Sequence, residues 1–580
     1  MSRALTSSRR RAVDRAVAAV IHAVGLGIVA LVLLILWYLL KVTAPLATPF
    51  RVGELETWTA PEMPEVLLPA TANSIGHWVL PEAASADVWT VNRRGEYRCD
   101  VRASFRPPPV RVAAPPRAVA LAERDSVLLM IGADGTLHRF GAAVSRCELQ
   151  SLDTPWQQPF AADAMLVERD RPLAFLFGSA EGRLRVVLST TGEALFDGLV
   201  PGGGPLNAVG LASDGGALFA FGDGPPRRWA LSAPFAEASW RSLWQPVWYG
   251  GYDSSQHVWH PASSSGTSLP RFGLSPLLWG TFKAALYGML IAVPIALGAA
   301  IYTGFFLPQR TRNRVKPAIE LMEAVPTVVL GFVAGIWLAP LLSDYLLAVF
   351  LLPLLLLGLP LVAALTHRAA QLVWPRFRRR PPRVAVLLGG YTLGVALLFL
   401  WLPGWMPELV GESARDALMR VLGVQYEQRN ALLVGLVMGF ALVPTLFSII
   451  EDAIFAVPRS LSDASLALGA TRWQSLVGVV LPAASPAILS ALLIGLARGL
   501  GETMIVLLAT GNTPIIEANA FSGLRSLAAT LAAELPEVAV NEAQFRVLFL
   551  AALVLFALTF VLNTIAELFR QRLRYRYAGR

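Results

Sequence analysis

Apolar residues are unevenly spread along this 580-residue chain. Charge-free apolar runs cover 23–40, 284–307, 324–342, 345–366, 384–407, 431–450 and 547–566. Residues 483–516 are equally apolar apart from Arg498 and Glu502. A bilayer core takes about 20 residues per helix. The pattern therefore predicts a polytopic all-α membrane domain of about eight spans. Between 45 and 272 the pattern changes. Short β-type runs at 88–91, 127–131, 173–177, 184–188 and 217–221 alternate with glycine-containing turns at 92–95, 132–135 and 180–182. Strand, turn and strand at this density predict an inserted all-β soluble domain. The turn spacing is irregular, so a propeller-like repeat stays open. The serine-rich run 263–268 reads as a linker back to the membrane. The chain thus divides into an N-terminal segment and first span (1–44), the β-rich insert (45–272) and a membrane domain (273–580).

Composition agrees with this division. Hydrophobic residues make up 55% and charged residues 15%, with a mean hydropathy of +0.54. A soluble enzyme or a disordered chain would carry far more charge. The formal net charge is +9. Lysine occurs only at 41, 283 and 316, so the basic charge is almost entirely arginine. Basic segments lie at 3–15, 310–316, 368–383 and 570–580, and the loop 512–545 is acidic by contrast. Positive segments stay cytoplasmic. Counting spans from the basic start puts both termini inside and 45–272 outside, in the periplasm. The first span reads as an uncleaved anchor, because its apolar run exceeds a signal core and no Ala-x-Ala site closely follows Lys41.

Cys99 and Cys147 both fall in the insert. They pair as a disulfide in an oxidising compartment, or stand as separate buried thiols. His257 and His260 lack the further ligands a metal site needs, so no metal is expected. No phosphate-binding Gly-x-x-x-x-Gly-Lys-Ser/Thr loop, Gly-x-Ser-x-Gly or His-Glu-x-x-His motif occurs. The chain is not expected to be an enzyme. A conduit, a sensor or an assembly factor fits better.

The loop 451–482 carries the sharpest signal. Ser460 and Asp463 have capping-box spacing. Leu461, Ala464 and Leu468 recur at helical spacing on one face. Gly469 suits the left-handed residue that ends a helix. Thr471 suits the cap of a second helix, and Pro482 marks re-entry into the membrane. An apolar helix face exposed in the cytoplasm needs a groove to fill. Asp463-Ala-Ser, Gly469 and Val479-Val-Leu-Pro482 resemble the EAA loop of binding-protein-dependent ABC importer permeases. Asp463 stands where that family usually has glutamate, and Ser465 where it often has alanine. Glu323-Ala-Val-Pro-Thr, Leu496-Ala-Arg-Gly-Leu-Gly-Glu-Thr-Met504 and Ala509-Thr-Gly-Asn-Thr513 narrow the resemblance to the phosphate-specific transport permeases of the PstC type. It covers about 270–345 and 430–570. The insert and the span pair across 345–407 are additions to that plan.

The resemblance implies MetI-like helices in the inner membrane, a second permease subunit, two ATPase subunits and a periplasmic phosphate-binding protein. ATP and Mg would sit on the ATPase, and this chain would carry no cofactor. Ser460, Leu461, Asp463, Ala464, Leu468, Gly469 and Pro482 would belong to the ATPase-coupling loop. Arg498 sits in an apolar stretch, where a charge costs about 3 kcal/mol. Glu502 follows four residues later, at a spacing that lets the two pair on one helix. A guanidinium fork suits oxyanions, and the resemblance marks Arg498 and Glu502 as substrate-pathway residues. The rival readings are an importer for sulfate or molybdate, and a membrane sensor whose insert binds a ligand. Gly331 with Gly335, Gly435 with Gly439 and Gly495 with Gly499 are small-xxx-small pairs expected to pack helices closely. Pro294, Pro326, Pro444 and Pro486 are expected to kink spans.

Overall fold

The computed structural model describes residues 8–57, the strands and some turns between 66 and 260, residues 270–346, 423–540 and 542–578, and positions 393, 416 and 419–421. Cys99 and Cys147 lie outside the described residues, as does almost all of the predicted span pair 345–366 and 384–407. Among the described residues six helices are long and apolar enough to cross a membrane: Arg15–Ala47, Ser275–Phe306, Thr327–Asp344, Ala431–Phe455, Arg472–Leu500 and Ala543–Gln571. Each covers one of the expected spans, in whole or in its main part.

The chain forms two compact units. The first comprises Met1–Pro276 and Glu534–Val554. Helix α1, Ser8–Thr43, opens it and passes into a 3-10 turn at Ala44–Ala47, where Pro45 sits in the first turn. Among the described residues five antiparallel sheets follow, one of them only the two-stranded pair of Trp259–His260 with Arg271–Phe272. Four-stranded meanders run from Ala118–Ala122 to Glu148–Ser151 and from Ala164–Val167 to Ala194–Leu199. Val79–Glu82, Ser85–Val88 and Val110–Val112 form a third sheet. In the fourth, Arg51–Thr57 pairs with Arg227–Ser232. The insert's first strand thus completes its last sheet and ties the two ends together. Turns use left-handed glycines, Gly182 (φ 66°) and Gly192 (φ 72°). Phe175, Phe177, Leu184, Val186 and Trp229 fill one core between the sheets. The expected strands 127–131, 173–177, 184–188 and 217–221 are all present. The segment is not purely β, since Ala236–Ala238 is a 3-10 turn and α2, Trp240–Trp244, is a short helix capped by Ser239.

The second unit comprises Leu277–Ala533 and Leu555–Arg580. Its described helices are α3 (Ser275–Ile301), α4 (Gln309–Glu320), α5 (Thr327–Val333), α6 (Ala339–Asp344), α7 (Ala431–Phe455), α8 (Arg459–Ala467), α9 (Arg472–Ser475), α10 (Leu481–Leu500), α11 (Met504–Ala509), α12 (Leu527–Glu534) and, from Leu555 on, α13 (Ala543–Ala578). π-helical turns join α5 to α6 at Ala334–Leu338 and α9 to α10 at Leu476–Val480. Asn430 caps α7, its side chain accepting from Leu433 N at 3.0 Å. Helix α7 is central, with Leu433, Val434, Leu446, Phe447 and Ile450 fully buried.

The glycine pairs pack as expected. A Cβ on Gly435 would lie 2.6 Å from Tyr287 Cβ, and one on Gly495 would lie 2.6 Å from Leu446 Cδ2. One on Gly331 would lie 2.8 Å from Met504 O. These positions bring α7 onto α3, α10 onto α7, and α5 onto α11.

Three sequence expectations need correction. The stretch 483–516 is not one helix: α10 ends at Leu500, Gly501 to Thr503 break it, and α11 stops at Ala509. Gly499 and Gly501 flank the break, where glycine weakens helix propagation. Pro326 does not kink a span but is the N-cap of α5, since its missing N–H costs nothing there. Helix α3 also begins earlier than its charge-free run, taking Lys283 into its interior. Lys283 is buried and donates to Ser522 Oγ at 2.7 Å. Pro294, Pro444 and Pro486 do lie inside helices.

Candidate functional site

Arg498 lies in the last turn of α10, not in the middle of a long helix, where a cation complements the partial negative charge of the helix C-terminus. Its Nη1 donates to Glu323 Oε1 at 2.5 Å and to Thr445 Oγ1 at 2.7 Å. Thr445 Oγ1 in turn donates to Glu323 Oε1 at 3.1 Å. Glu323 stands in the 3-10 turn Leu321–Ala324, which leads into Pro326 and α5. Three segments, α10, α7 and the turn before α5, thus meet at one guanidinium. The hydrogen bond from Arg498, opposed by burial and helped by Thr445, holds the Glu323 carboxyl below the usual carboxylate range.

The expected pairing of Arg498 with Glu502 does not form. The helix ends between them, so the four-residue spacing no longer places them on one face. Glu502 Oε1 instead accepts from Ile505 N at 3.4 Å, at the start of α11. Both side chains still line one cleft, with Glu323, Met438 and Leu442. Its volume is about 20 Å³, room for roughly one water. The Arg498 and Glu323 side chains are 42% and 41% exposed. The ion pair is thus partly exposed at the cleft.

A second charged cluster is built around a buried carboxylate. Glu451, in the last turns of α7, has no exposed surface and accepts from Arg312 Nε and Nη2. Lys316 Nζ lies 3.1 Å from Glu451 Oε2 and also bonds Asp452. The Arg312 guanidinium covers the Phe455 ring at 3.6 Å. The hydrogen bond to Glu451 raises the Arg312 pKa further. Burial opposes the charge of Lys316, but its bonds to Asp452 and Glu451 outweigh it and raise its pKa. Sequence reading gave Arg312 and Lys316 only an orienting role and assigned none to Glu323, Thr445 or Glu451. The visible signal was an acid at 323 and at 451 in the blocks quoted above.

From Ala456 the chain turns into the hairpin of α8 and α9. Ser460 does not cap α8 with Asp463. Pro458 takes the N-cap, α8 starts at Arg459, and Ser460 falls inside the first turn. The capping box is at the second helix instead: Thr471 Oγ1 accepts from Gln474 N at 3.3 Å, and Gln474 Oε1 accepts from Thr471 N at 2.8 Å. Gly469 is left-handed at φ 91°. Gly469 N donates to Leu466 O and Ala470 N to Ser465 O, the paired bonds of a Schellman end. Leu461, Asp463, Ala464 and Leu468 are all exposed, Leu468 at 91%, and Trp473 beside them at 63%. Pro482 lies in the first turn of α10. The hairpin thus presents an apolar surface that is exposed among the described residues.

His257 and His260 in the first unit show no converging ligand set. His260 Nδ1 lies 2.9 Å from Pro261 O, while burial lowers the pKa of His257. Among the described residues no three His, Cys, Asp or Glu side chains cluster as metal ligands.

Residues 292–575 match the family model described as binding-protein-dependent transport system inner membrane component. The phosphate transport system permease protein PstC of Xylella fastidiosa (strain 9a5c) is 26% identical over 315 residues, 54% of this chain and 77% of that protein. The probable phosphate transport system permease protein PstC of Methanocaldococcus jannaschii is 24% identical, over 55% of this chain and 81% of its own length. The probable ABC transporter permease protein YqgH of Bacillus subtilis (strain 168) is 24% identical, over 52% and 72%.

Proposed function

We propose, from the premise that residues 292–575 make this chain a member of the binding-protein-dependent transport system inner membrane component family, that it is the permease subunit of an ATP-driven phosphate importer. The observation that carries the reading is Arg498, held by Glu323 and Thr445 and partly exposed at a cleft. A guanidinium offers a planar fork of donors to a tetrahedral oxyanion. The Glu323 carboxylate occupies that fork until a competing anion displaces it. The site is half built on this chain, so a second permease subunit completes the path. Glu502 lines the same cleft and faces the same anion.

The chain itself breaks no bond. Two ATPase subunits carry ATP and Mg and dock on the exposed hairpin of α8 and α9, through Leu461, Ala464 and Leu468. A periplasmic binding protein delivers the substrate. The chain lies in the inner membrane with both termini in the cytoplasm and the β-rich insert, 45–272, in the periplasm. Phosphate is preferred over sulfate or molybdate because the named relatives are phosphate permeases.

The test is radiolabelled phosphate uptake by cells lacking the gene and complemented with variants. Arg498→Ala is expected to abolish uptake while the protein still reaches the membrane and co-purifies with its partners. Normal uptake by that variant overturns the assignment. Competition by sulfate at equal concentration overturns the choice of anion.

A further inference from the structure

The first unit contains a cavity that the transport reading does not use. Its volume is about 320 Å³, within the range of small-molecule sites. Four separate stretches of chain build it. Arg139 comes from the strand Leu137–Ala143, Thr190 and Thr191 from the turn after the strand Arg183–Leu188, Arg241 from α2, and Ser254 and Ser255 from the loop beyond it. Among the described residues the lining holds two guanidinium groups, four hydroxyls and no carboxylate.

The lining is held in place. Arg139 is buried and its Nη2 donates to Trp248 O at 2.6 Å. Arg241 Nη1 reaches Thr191 O at 3.5 Å. Gly192, left-handed at φ 72°, closes the turn that presents the two threonines, and Gly192 N donates to Leu188 O at 2.8 Å. The loop carrying the two serines is pinned at its base, where Val247 and Gln256 exchange backbone bonds of 3.0 and 3.1 Å. Inside the loop Trp248 Nε1 donates to Tyr252 O at 2.8 Å. Arg271 lies over the rings of Tyr249 and Tyr252. Trp248 also packs against the buried cluster of Leu129, Ile131 and Leu176, which gives the cavity an aromatic wall anchored in the core.

Planar guanidinium forks with hydroxyl donors suit an oxyanion head better than a halide, because each oxygen finds its own donor. The space exceeds what a bare oxyanion fills, and the wall of Trp248 and Val247 suits a small organic tail.

We propose that this cavity is a ligand site for a small phosphate-bearing anion, inorganic phosphate or a phosphate monoester, separate from the Arg498 cleft. That the head is phosphate rests on the reading of the membrane half as a phosphate permease. That the site takes an oxyanion rests on the cavity alone.

The test is binding to the purified full-length chain in detergent, by calorimetry and by tryptophan fluorescence. The probes are inorganic phosphate, glycerol 3-phosphate and sulfate. Saturable binding of one of the two phosphate probes is expected. Arg241→Gln should weaken it about tenfold or more, the loss of one charge-assisted hydrogen bond. Ser254→Asp places a carboxylate at an exposed position of the lining and should abolish binding without disturbing the core. Leu199→Ser, at an exposed residue of the same unit outside the lining, should leave binding unchanged. The proposal is overturned if neither phosphate probe binds saturably, or if binding is weakened by neither Arg241→Gln nor Ser254→Asp. Sulfate bound as tightly as the phosphate probes overturns the phosphate assignment. Uptake is measured independently in cells, so a failed binding test and a failed transport reading give different results.

Discussion

Replacing Glu451 with glutamine removes the negative charge from the most enclosed ion pair described in this protein. The side chain of Glu451 is 0% exposed and that of Arg312 10%. Deleting one partner of a buried pair costs about 3–5 kcal/mol, because the other charge remains without compensation. Two features set the figure here. Glutamine keeps one acceptor oxygen for Arg312, so not every hydrogen bond is lost. Asp452 Oδ1 lies 3.9 Å from Arg312 Nη2 and already binds Lys316, but it is largely exposed and screened by solvent. The expected loss is therefore near the low end, about 3 kcal/mol. The assay is reversible unfolding of the purified chain in micelles, run as a double-mutant cycle with Arg312→Gln. Residues in one ion-pair network couple by about 0.5–3 kcal/mol, so the double variant should be less damaged than the sum of the singles. A loss below about 1 kcal/mol, as for a surface ion pair, or a strictly additive cycle would refute the argument. Either result would mean that the cluster is solvated and does not clamp α4 to α7.

Three further outcomes follow from other sites. Glu323→Gln should lower stability slightly at neutral pH, by less than about 1 kcal/mol because both partners are partly exposed. The folded pKa of Glu323 is depressed, so this contribution is present above the ordinary carboxylate pKa and is lost as pH falls through the lowered value. The gap between parent and variant should close in acid, and a gap that widens there refutes the pairing. Leu468→Asp changes a residue that is 91% exposed, so the melting temperature should hold while co-purification of the ATPase is lost; retained co-purification overturns the docking role. Gly435→Val places a methyl-bearing carbon 2.6 Å from Tyr287 Cβ, and overpacking of this kind costs about 1–3 kcal/mol or more. Thermal unfolding at the parent temperature would show that α3 and α7 are not in close contact there.

How much of this was legible in the sequence depended on the range of the interaction. Features set by neighbours along the chain could be read directly. The six described spans, the strands of the insert, the left-handed Gly469, the Thr471 cap and the small-residue pairs all follow from periodicity or from the conformational needs of single residues. Features that depend on where an element ends were misread. The pairing of Arg498 with Glu502 presumed an unbroken helix, and the Ser460 cap presumed that Pro458 lay outside the helix start. Features built from distant segments were not readable at all. Arg498 and Glu323 are 175 positions apart, and the lining of the insert cavity is drawn from 139 to 255. No local rule joins such residues; packing does.

The placement of Arg498 has a mechanical consequence under the transport reading. The span Arg472–Leu500 carries the docking hairpin at its start and the anion receptor near its end. From Arg472 to Arg498 a helix rises roughly 39 Å at about 1.5 Å per residue, more than the hydrocarbon core is thick. One rod therefore links the surface that a partner ATPase would push to the guanidinium that an anion would meet. The rod is not uniform: the π-helical turn Leu476–Val480 lies just beyond the hairpin, and Pro486 removes one backbone hydrogen bond further on. These are its two irregular places, while Gly495 and Gly499 pack the stretch from Ser490 to Leu500 against Leu446 and Leu442 of α7. The Thr445 and Glu323 contacts belong to α7 and to the turn before α5, which the Glu451–Arg312 cluster ties to α4. Under the transport reading a push at the hairpin therefore reaches Arg498 and Thr445 together, because Gly495 and Gly499 seat α10 on Leu446 and Leu442 of α7, the helix that carries Thr445.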